Sequence, residues 1–122
     1  MNITMIKDQS LPVGAVTYQL DKSSGNLNAR WAFSAQSGVE IVCRGLATPL
    51  SQTPKTTAPS FVGTYQIIYY GPDSTAADPW DLEIKQKGEL FDLTWSKEGT
   101  VTYHGIGFLA GNLLVCGWRP TL

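Results

Sequence analysis

Apolar and polar residues alternate along most of this chain. In the segment 80–87, WDLEIKQK, the apolar side chains of Trp80, Leu82 and Ile84 are separated by single charged residues. A period of two places the apolar side chains on one face of a β-strand and the charged side chains on the other. Strands of this kind bury one face and leave the other in solvent, as antiparallel sheets do. The pattern therefore predicts an antiparallel β protein.

Nine segments carry this alternation or a similar β signal, rich in β-branched and aromatic residues. The predicted strands cover residues 3–6, 16–20, 27–33, 39–47, 63–70, 80–86, 91–95, 101–108 and 113–118. The polar segments 22–26 (KSSGN) and 87–89 (KGE) are typical of tight hairpin turns. Because no helical period of useful length occurs, we expect an all-β fold of eight or nine short strands.

The apolar pattern of one hairpin occurs twice in the chain. Residues 18–31 (YQLDKSSGNLNARW) align without a gap on residues 82–95 (LEIKQKGELFDLTW), at a constant separation of 64. Identity is almost nil, but Tyr18 falls on Leu82 and Trp31 on Trp95, and the apolar positions between them coincide. This repeat predicts one sheet built from two related halves, about residues 1–47 and 61–122. The segment 48–60 holds three prolines and is predicted to link the halves.

The order of the predicted strands favours a closed barrel. A chain of 122 residues forms a single domain, here about 1–122. Short turns join most neighbouring strands, and an up-and-down meander closes readily into a barrel without exposed edges. We therefore predict a single antiparallel up-and-down β-barrel. A β-sandwich is the alternative, because the Pro-rich segment 48–60 could cross from one sheet to another.

Charge and hydropathy exclude several classes of partner. The net charge is −1 and the nine basic residues are scattered, whereas proteins that bind nucleic acid usually cluster Lys and Arg. No apolar run reaches the length of a membrane-spanning helix. Residues 1–14 lack the basic and apolar regions of a signal peptide. We expect a cytoplasmic protein with neither nucleic acid nor a membrane as its partner.

The residues that usually carry catalysis or bind metals are sparse. The single histidine, His104, is predicted to face away from Trp95 and has no assignable partner. Cys43 and Cys116 are too far apart in sequence for a known zinc spacing. They are expected to be free in a cytoplasmic chain, and could form a disulfide in a secreted one. We expect no metal site and no cofactor, and catalysis stays open but is not favoured.

The second half resembles the calycin-type barrels, the group that includes lipocalins and streptavidin-like proteins. The resemblance rests on the segments 63–65 (GTY), 81–84 (DLEI), 92–95 (DLTW), 103–107 (YHGIG) and 111–115 (GNLLV). Their order is similar to that of bacterial barrel domains of uncharacterised function. The resemblance implies a barrel that encloses a ligand. It does not imply biotin binding, because the polar residues that bind biotin have no counterpart here.

Aromatic residues are the main candidates for a ligand site. Seven of them are predicted to face the interior of the barrel, namely Tyr18, Trp31, Tyr65, Tyr69, Trp80, Trp95 and Tyr103. Such a lumen, with several hydroxyl and indole N–H groups and few charges, suits a small, flat or apolar molecule. We therefore predict a non-catalytic binding barrel for a small, largely uncharged ligand. The alternative is a purely structural role, in which these rings fill the barrel as its core.

A second set of apolar residues is predicted to lie on the outer wall. Its members fall on the opposite parity from the interior, and they are Ile68, Tyr70, Ile106, Phe108, Leu114 and Trp118. Exposed apolar patches mark interaction surfaces, so we expect a homo-oligomer, most simply a dimer. Two other functions remain open at this point. The protein could be an interaction or structural module with a filled core, or a small-molecule isomerase or cyclase.

Overall fold

The computed structural model describes residues 12–34, 41–50 and 60–121, which form eight β-strands and no helix. The strands are β1 (Gly14–Leu20), β2 (Leu27–Phe33), β3 (Cys43–Pro49), β4 (Gly63–Tyr70), β5 (Trp80–Lys87), β6 (Leu90–Lys97), β7 (Thr100–Ala110) and β8 (Leu113–Pro120). Across these ranges, no helix is long and apolar enough to cross a membrane.

Each strand pairs antiparallel with the next one in the chain, and β8 pairs with β1 to close the sheet. The prediction of a closed antiparallel up-and-down barrel is confirmed, and the sandwich alternative is wrong because a single sheet closes on itself. The ninth predicted strand, residues 3–6, lies outside the described residues. So does most of the predicted linker, residues 51–59, whereas Thr48 and Pro49 belong to β3.

The alternating pattern determines which side chains fill the barrel. Apolar residues at every second position of each strand point inward, so the interior is packed without a buried charged or polar residue among those described. The largest fully buried side chains are Tyr18, Leu27, Ile67, Leu82, Ile84, Leu93, Leu114 and Val16. Cys43 is half-buried, Cys116 is buried, and both thiols are free.

The sheet register follows the spacing of the repeated hairpins. Ala29 lies opposite Gly45 in the β2–β3 pair, and Leu93 lies opposite Gly105 in the β6–β7 pair. Ala29 and Leu93 are the residues that the separation of 64 aligns. Both glycines are buried on the inward face. The two hairpins therefore continue into their next strands with the same inward geometry.

Close packing inside the barrel depends on glycine at position 105. A Cβ atom there would lie 2.6 Å from the carbonyl oxygen of Gly117 and 3.1 Å from the indole ring of Trp95. The missing side chain lets β8 and the Trp95 ring approach the backbone of β7 closely. This packing positions the Trp95 ring at one end of the filled interior.

Candidate ligand-binding site

One end of the barrel holds an open cavity. This end, called the mouth below, is where β1, β3, β5 and β7 begin and the other four strands end. The cavity has a volume of about 440 Å³ and opens to solvent. None of the described residues that line it is Asp, Glu, Lys, Arg or His. The barrel is thus filled at the end opposite the mouth and hollow at the mouth.

Six aromatic side chains form a continuous series around the cavity, called the aromatic arc below. In order they are Tyr69, Trp31, Phe33, Trp118, Tyr103 and Trp80, and neighbouring ring centroids lie 5.2–6.2 Å apart. Most of these contacts are edge-to-face, the arrangement that aromatic quadrupoles favour. The rings support one another, so the wall of the cavity is formed before any ligand binds.

A β-bulge directs one ring of the arc into the cavity. Trp95 pairs with Tyr103, whereas the next residue, Ser96, pairs with Val101, so Thr102 is the extra residue. The bulge lets Val101 face outward while Tyr103 faces inward. Thr121 binds the carbonyl oxygens of the bulge, since its hydroxyl donates to Val101 at 3.1 Å and its N–H to Thr102 at 2.9 Å. This bulge brings Tyr103 into contact with Trp80 and Trp118.

A glycine makes room for another ring of the arc. Gly14 in β1 lies opposite Trp118 in β8. Any side chain at Gly14 would overlap the indole of Trp118. The ring therefore packs directly against the β1 backbone and forms a wall of the cavity.

Tyr69 and Trp95, joined by a hydrogen bond, form the floor of the cavity. Trp95 Nε1 donates to Tyr69 Oη at 2.7 Å. The hydroxyls of Tyr18 and Tyr69 share a second hydrogen bond, with 3.0 Å between the oxygens. Tyr69 and Trp95 line the cavity, whereas Tyr18 lies beneath them and is fully buried. These three residues are called the floor triad below.

The loop after β4 closes one side of the cavity. Ala77 N–H donates to the Tyr69 carbonyl at 2.8 Å, and Gly71 N–H donates to the Thr75 carbonyl at 3.0 Å. The Asp73 carboxylate accepts from Thr75 N–H at 3.0 Å, which holds the pKa of Asp73 below its usual range. These bonds fold the loop back over β4, so Thr75, Ala76 and Ala77 line the cavity. Residues 71–77 are called the mouth loop below.

Hydrogen-bond donors at the mouth are open to solvent. Trp31 Nε1 donates to the Arg44 carbonyl at 2.9 Å, but within the described chain Trp80 Nε1 and Trp118 Nε1 have no acceptor. Tyr103 Oη likewise has no partner among the described residues. No buried side-chain nitrogen or oxygen in those residues lacks a hydrogen bond, so these three groups must reach solvent. They are available to a bound molecule.

A cation lies beside the arc. Lys97 Nζ is 4.2 Å from the ring centroid of Trp80, which is within the range of a cation–π contact. Lys97 is half-buried and does not line the cavity. Its contact holds one face of Trp80 while Tyr103 packs on the ring by an edge. Trp80 is therefore fixed from two sides.

Burial keeps the hydroxyls of the floor triad neutral. Loss of solvent on burial raises the pKa of Tyr69 and raises that of Tyr18 well above its usual value. Their mutual hydrogen bond and the indole N–H of Trp95 modify these shifts but do not reverse them. Near neutral pH both hydroxyls carry their protons, so they donate and accept hydrogen bonds without acting as bases.

Five of the seven aromatics predicted for the lumen line the cavity, and they are Trp31, Tyr69, Trp80, Trp95 and Tyr103. Tyr18 lies under the floor. Tyr65 faces inward at the opposite end, where its hydroxyl donates to the Phe61 carbonyl at 2.9 Å and does not reach the cavity. Whether these residues bind a ligand stays a prediction.

Two residues predicted for the outer wall lie inside the barrel. Leu114 is 0% exposed, and Trp118 belongs to the aromatic arc, so their outward placement is wrong. The error arises because both faces of the segment 113–118 (LLVCGW) are apolar, and alternation therefore does not distinguish inside from outside. Phe33, Pro12 and the mouth loop also line the cavity without having been predicted.

The other outer-wall candidates face outward but do not form one patch. Ile68 and Tyr70 lie on β4, and Ile106 and Phe108 lie on β7. The strand order places β5 and β6 between β4 and β7, so the two pairs lie on separate parts of the wall. Ile106 and Phe108 are each 57% exposed.

The predicted placement of the ionisable residues agrees with the structure. His104 is exposed on the outer face, away from Trp95. Asp81 and Glu83 are exposed on the outer face of β5. In the part of the chain that the structure describes, no three His, Cys, Asp or Glu residues come together to hold a metal ion.

Comparison with known proteins adds no family assignment: no family model, no curated protein and no solved structure matches this chain at a significant level.

Proposed function

We propose that this protein is a non-catalytic binding barrel whose mouth holds a small, flat, largely uncharged molecule. The observation that carries the proposal is the aromatic arc around an open cavity of about 440 Å³ with no charged residue among its described lining. Sites for small molecules are typically concave, largely apolar and formed before binding, with a few polar groups that orient the ligand.

The chemistry of the lining favours a flat ligand. Tryptophan and tyrosine rings provide large, rigid apolar surfaces, and a planar molecule can stack on them or meet their edges. Burial of an apolar ligand in this cavity would be driven by about 25 cal/mol for each Å² removed from water. The free N–H groups of Trp80 and Trp118 would then fix its orientation at the mouth.

The ionisable groups of the cavity favour binding over catalysis. The hydroxyl of Tyr69 lies at the floor, and burial raises its pKa. A general base needs a pKa near the working pH. The neutral Tyr69 hydroxyl suits recognition of a ligand better than removal of a proton, so an isomerase or cyclase is the weaker proposal.

The calycin-type relationship is part of this proposal. Eight antiparallel strands in a closed up-and-down order are typical of that group, and so is a ligand held inside one end of the barrel. Because a fold alone does not define a function, the aromatic arc remains the main support.

A cavity-filling variant tests the proposal. Ala77 lines the cavity and is exposed, so the indole of Ala77→Trp would occupy the space without disturbing the core. Ala110→Trp is the matched control, because Ala110 is exposed at the end of β7 far from the mouth. The probe is N-phenyl-1-naphthylamine, a neutral aromatic dye that fluoresces in apolar surroundings.

We expect saturable binding of the dye to the wild type and to Ala110→Trp, and at least about tenfold weaker binding to Ala77→Trp. That factor corresponds to a loss of about 1.4 kcal/mol. Equal binding by the two variants, or no binding by the wild type, would overturn the proposed function.

A second candidate function is supported by the outer wall of β7. We propose that Ile106 and Phe108, each 57% exposed, contribute to a homodimer interface. Neighbouring exposed apolar side chains on a strand are unfavourable in water and are often covered by a partner. Val115 lies opposite Phe108 on β8 and extends the apolar surface.

Sedimentation velocity tests this interface. We expect a dimer of the wild type that Ile106→Thr weakens, and that the control Val101→Thr, an exposed position on the same strand, leaves unchanged. A wild type that is monomeric at high concentration would exclude the interface.

A further inference from the structure

The hydrogen bonds of the floor triad define which polar group a ligand must carry. We propose that the molecule bound at the mouth is neutral and carries a hydrogen-bond acceptor, such as a carbonyl oxygen, which accepts a hydrogen bond from the hydroxyl of Tyr69 at the floor of the cavity. This inference depends on the proposed function, since it names the chemical class of the ligand at the same site.

The hydroxyl of Tyr18 donates its hydrogen bond to Tyr69. The side chain of Tyr18 is 0% exposed, and within the described chain the only hydrogen-bond acceptor for its hydroxyl is Tyr69 Oη, at 3.0 Å. A buried hydroxyl that accepts but does not donate leaves its proton without a partner, which is unfavourable in an apolar interior. The favourable arrangement is that Tyr18 donates to Tyr69.

The hydroxyl oxygen of Tyr69 accepts hydrogen bonds from two neighbours. An indole N–H can only donate, so Trp95 Nε1 donates to Tyr69 Oη at 2.7 Å. With the proton of Tyr18 as well, the Tyr69 oxygen accepts two hydrogen bonds. A phenol oxygen has one proton and two acceptor sites, so the proton of Tyr69 is left to donate. Chains of hydrogen bonds strengthen one another, so Tyr69 becomes a better donor.

The O–H group of Tyr69 has no acceptor in the described part of the protein. Tyr69 has no further hydrogen-bond partner among the described residues. Tyr69 and Trp95 both line the cavity, whereas Tyr18 lies beneath it. The O–H group of Tyr69 can therefore donate its hydrogen bond only toward the cavity. Tyr18 and Trp95 act as positioning residues, and Tyr69 is the residue that touches the ligand.

The remaining groups of the cavity point to the same class of ligand. Trp80 Nε1 and Trp118 Nε1 are donors without an acceptor in the described chain, and none of the described lining residues carries a carboxylate. A ligand rich in donors would find few acceptors here. A charged ligand would lose its hydration without a counter-ion among the described lining residues, which is strongly unfavourable. A neutral acceptor fits both conditions.

Two bicyclic probes of similar size test the inference. Coumarin carries a carbonyl acceptor and no donor, whereas indole carries an N–H donor and no comparable acceptor. By isothermal titration calorimetry we expect the wild type to bind coumarin about three- to tenfold tighter than indole, the range expected for one net hydrogen bond. Equal affinities, or tighter binding of indole, would overturn the inference and leave the proposed function intact. If neither probe bound, the proposed function and the inference would fail together.

Variants assign the preference to Tyr69. Tyr69→Phe removes the donor, so we expect the affinities for coumarin and indole to become nearly equal. Tyr65→Phe is the matched control, since it also removes a buried hydroxyl but at the opposite end of the barrel, and it should keep the full preference. Tyr18→Phe leaves the Tyr69 proton in place and should keep most of it. A full preference for coumarin in Tyr69→Phe would overturn the assignment. If that variant does not fold, the wild-type comparison decides.

Discussion

Tyr69 connects the filled interior of the barrel with its open mouth. Its hydroxyl binds Tyr18 in the core and Trp95 at the floor, while its ring begins the aromatic arc. A single side chain therefore contributes both to packing and to the cavity. Changes at Tyr69 are expected to affect stability and binding together, which is why the Tyr65→Phe control is needed.

Glycine at position 105 is required by close packing of the backbone. We expect Gly105→Ala to destabilise the protein by about 1–3 kcal/mol, because the new methyl group would meet the Gly117 carbonyl and the Trp95 ring. Gly117→Ala is the control, since a Cβ atom there has nothing closer than 3.9 Å. Urea denaturation of both variants measures the difference. A Gly105→Ala variant as stable as Gly117→Ala would contradict this account of the packing.

Buried hydroxyl and thiol groups make stability depend on alkaline pH. Burial raises the pKa of Tyr65 to about 12 and that of Cys116 to about 12, and raises those of Tyr18 and Tyr69 as well. The ordinary values are 10.0 for tyrosine and 9.0 for cysteine. Above those values the unfolded chain loses protons that the folded chain keeps, so the free energy of unfolding falls as pH rises.

We therefore expect stability to be independent of these groups below about pH 9 and to fall between about pH 9 and pH 12. Each group lowers the free energy of unfolding by about 1.4 kcal/mol per pH unit once its unfolded form has ionised. Denaturant titrations at pH 8, 10 and 11 measure the slope, and Tyr65→Phe should make it shallower above pH 10. A constant stability up to pH 11 would show that the pKa values of these groups are not raised in the folded chain.

Among the elements, the mouth loop forms one side of the cavity and pairs with β4 by an isolated bridge between Ala76 and Tyr70. Asp73 supports it by accepting from Thr75 N–H. We expect Asp73→Ala to weaken binding of N-phenyl-1-naphthylamine about two- to fivefold, because one hydrogen bond contributes about 0.5–1 kcal/mol. Asp73→Asn keeps an acceptor oxygen and should bind nearly as the wild type does. Global stability should change little in both variants, since Asp73 is exposed. Equal binding by the two variants would show that the loop does not depend on this bond.

The strands could be predicted from sequence to the extent that their two faces differ in polarity. β5 alternates apolar and charged residues, so its inward residues Leu82 and Ile84 were assigned correctly. β8 is apolar on both faces, so Leu114 and Trp118 were placed on the wrong side. The order and closure of the sheet followed from short turns between strands.

The candidate site could be predicted only in part, because its geometry depends on features without a local signal. The bulge at Thr102 is set by pairing between β6 and β7, and the room for Trp118 depends on Gly14 across the β1–β8 junction. Contacts between residues this far apart produce no periodic pattern in the amino-acid sequence. The inward aromatics could be found, but not the floor triad.

For the whole molecule, the main feature is a barrel filled at one end and hollow at the other. The close-packed part away from the mouth, with Leu27, Leu93 and Leu114 fully buried, holds the strands in place. That rigidity positions the aromatic arc around the mouth, so the cavity does not depend on a ligand for its shape. At the mouth, large aromatic rings surround an open space instead of filling it.

The indole N–H signals in a ¹⁵N-correlated NMR spectrum test whether this space is a binding site. The chain has four tryptophans, so four indole signals report on the mouth and its floor. On titration with coumarin we expect saturable shifts of the Trp80 and Trp118 signals, which have free N–H groups, and smaller shifts for Trp31, whose N–H is bound to Arg44. If no indole signal moved up to millimolar coumarin, or if shifts were confined to residues outside the mouth, the account of this cavity as a ligand site would be contradicted.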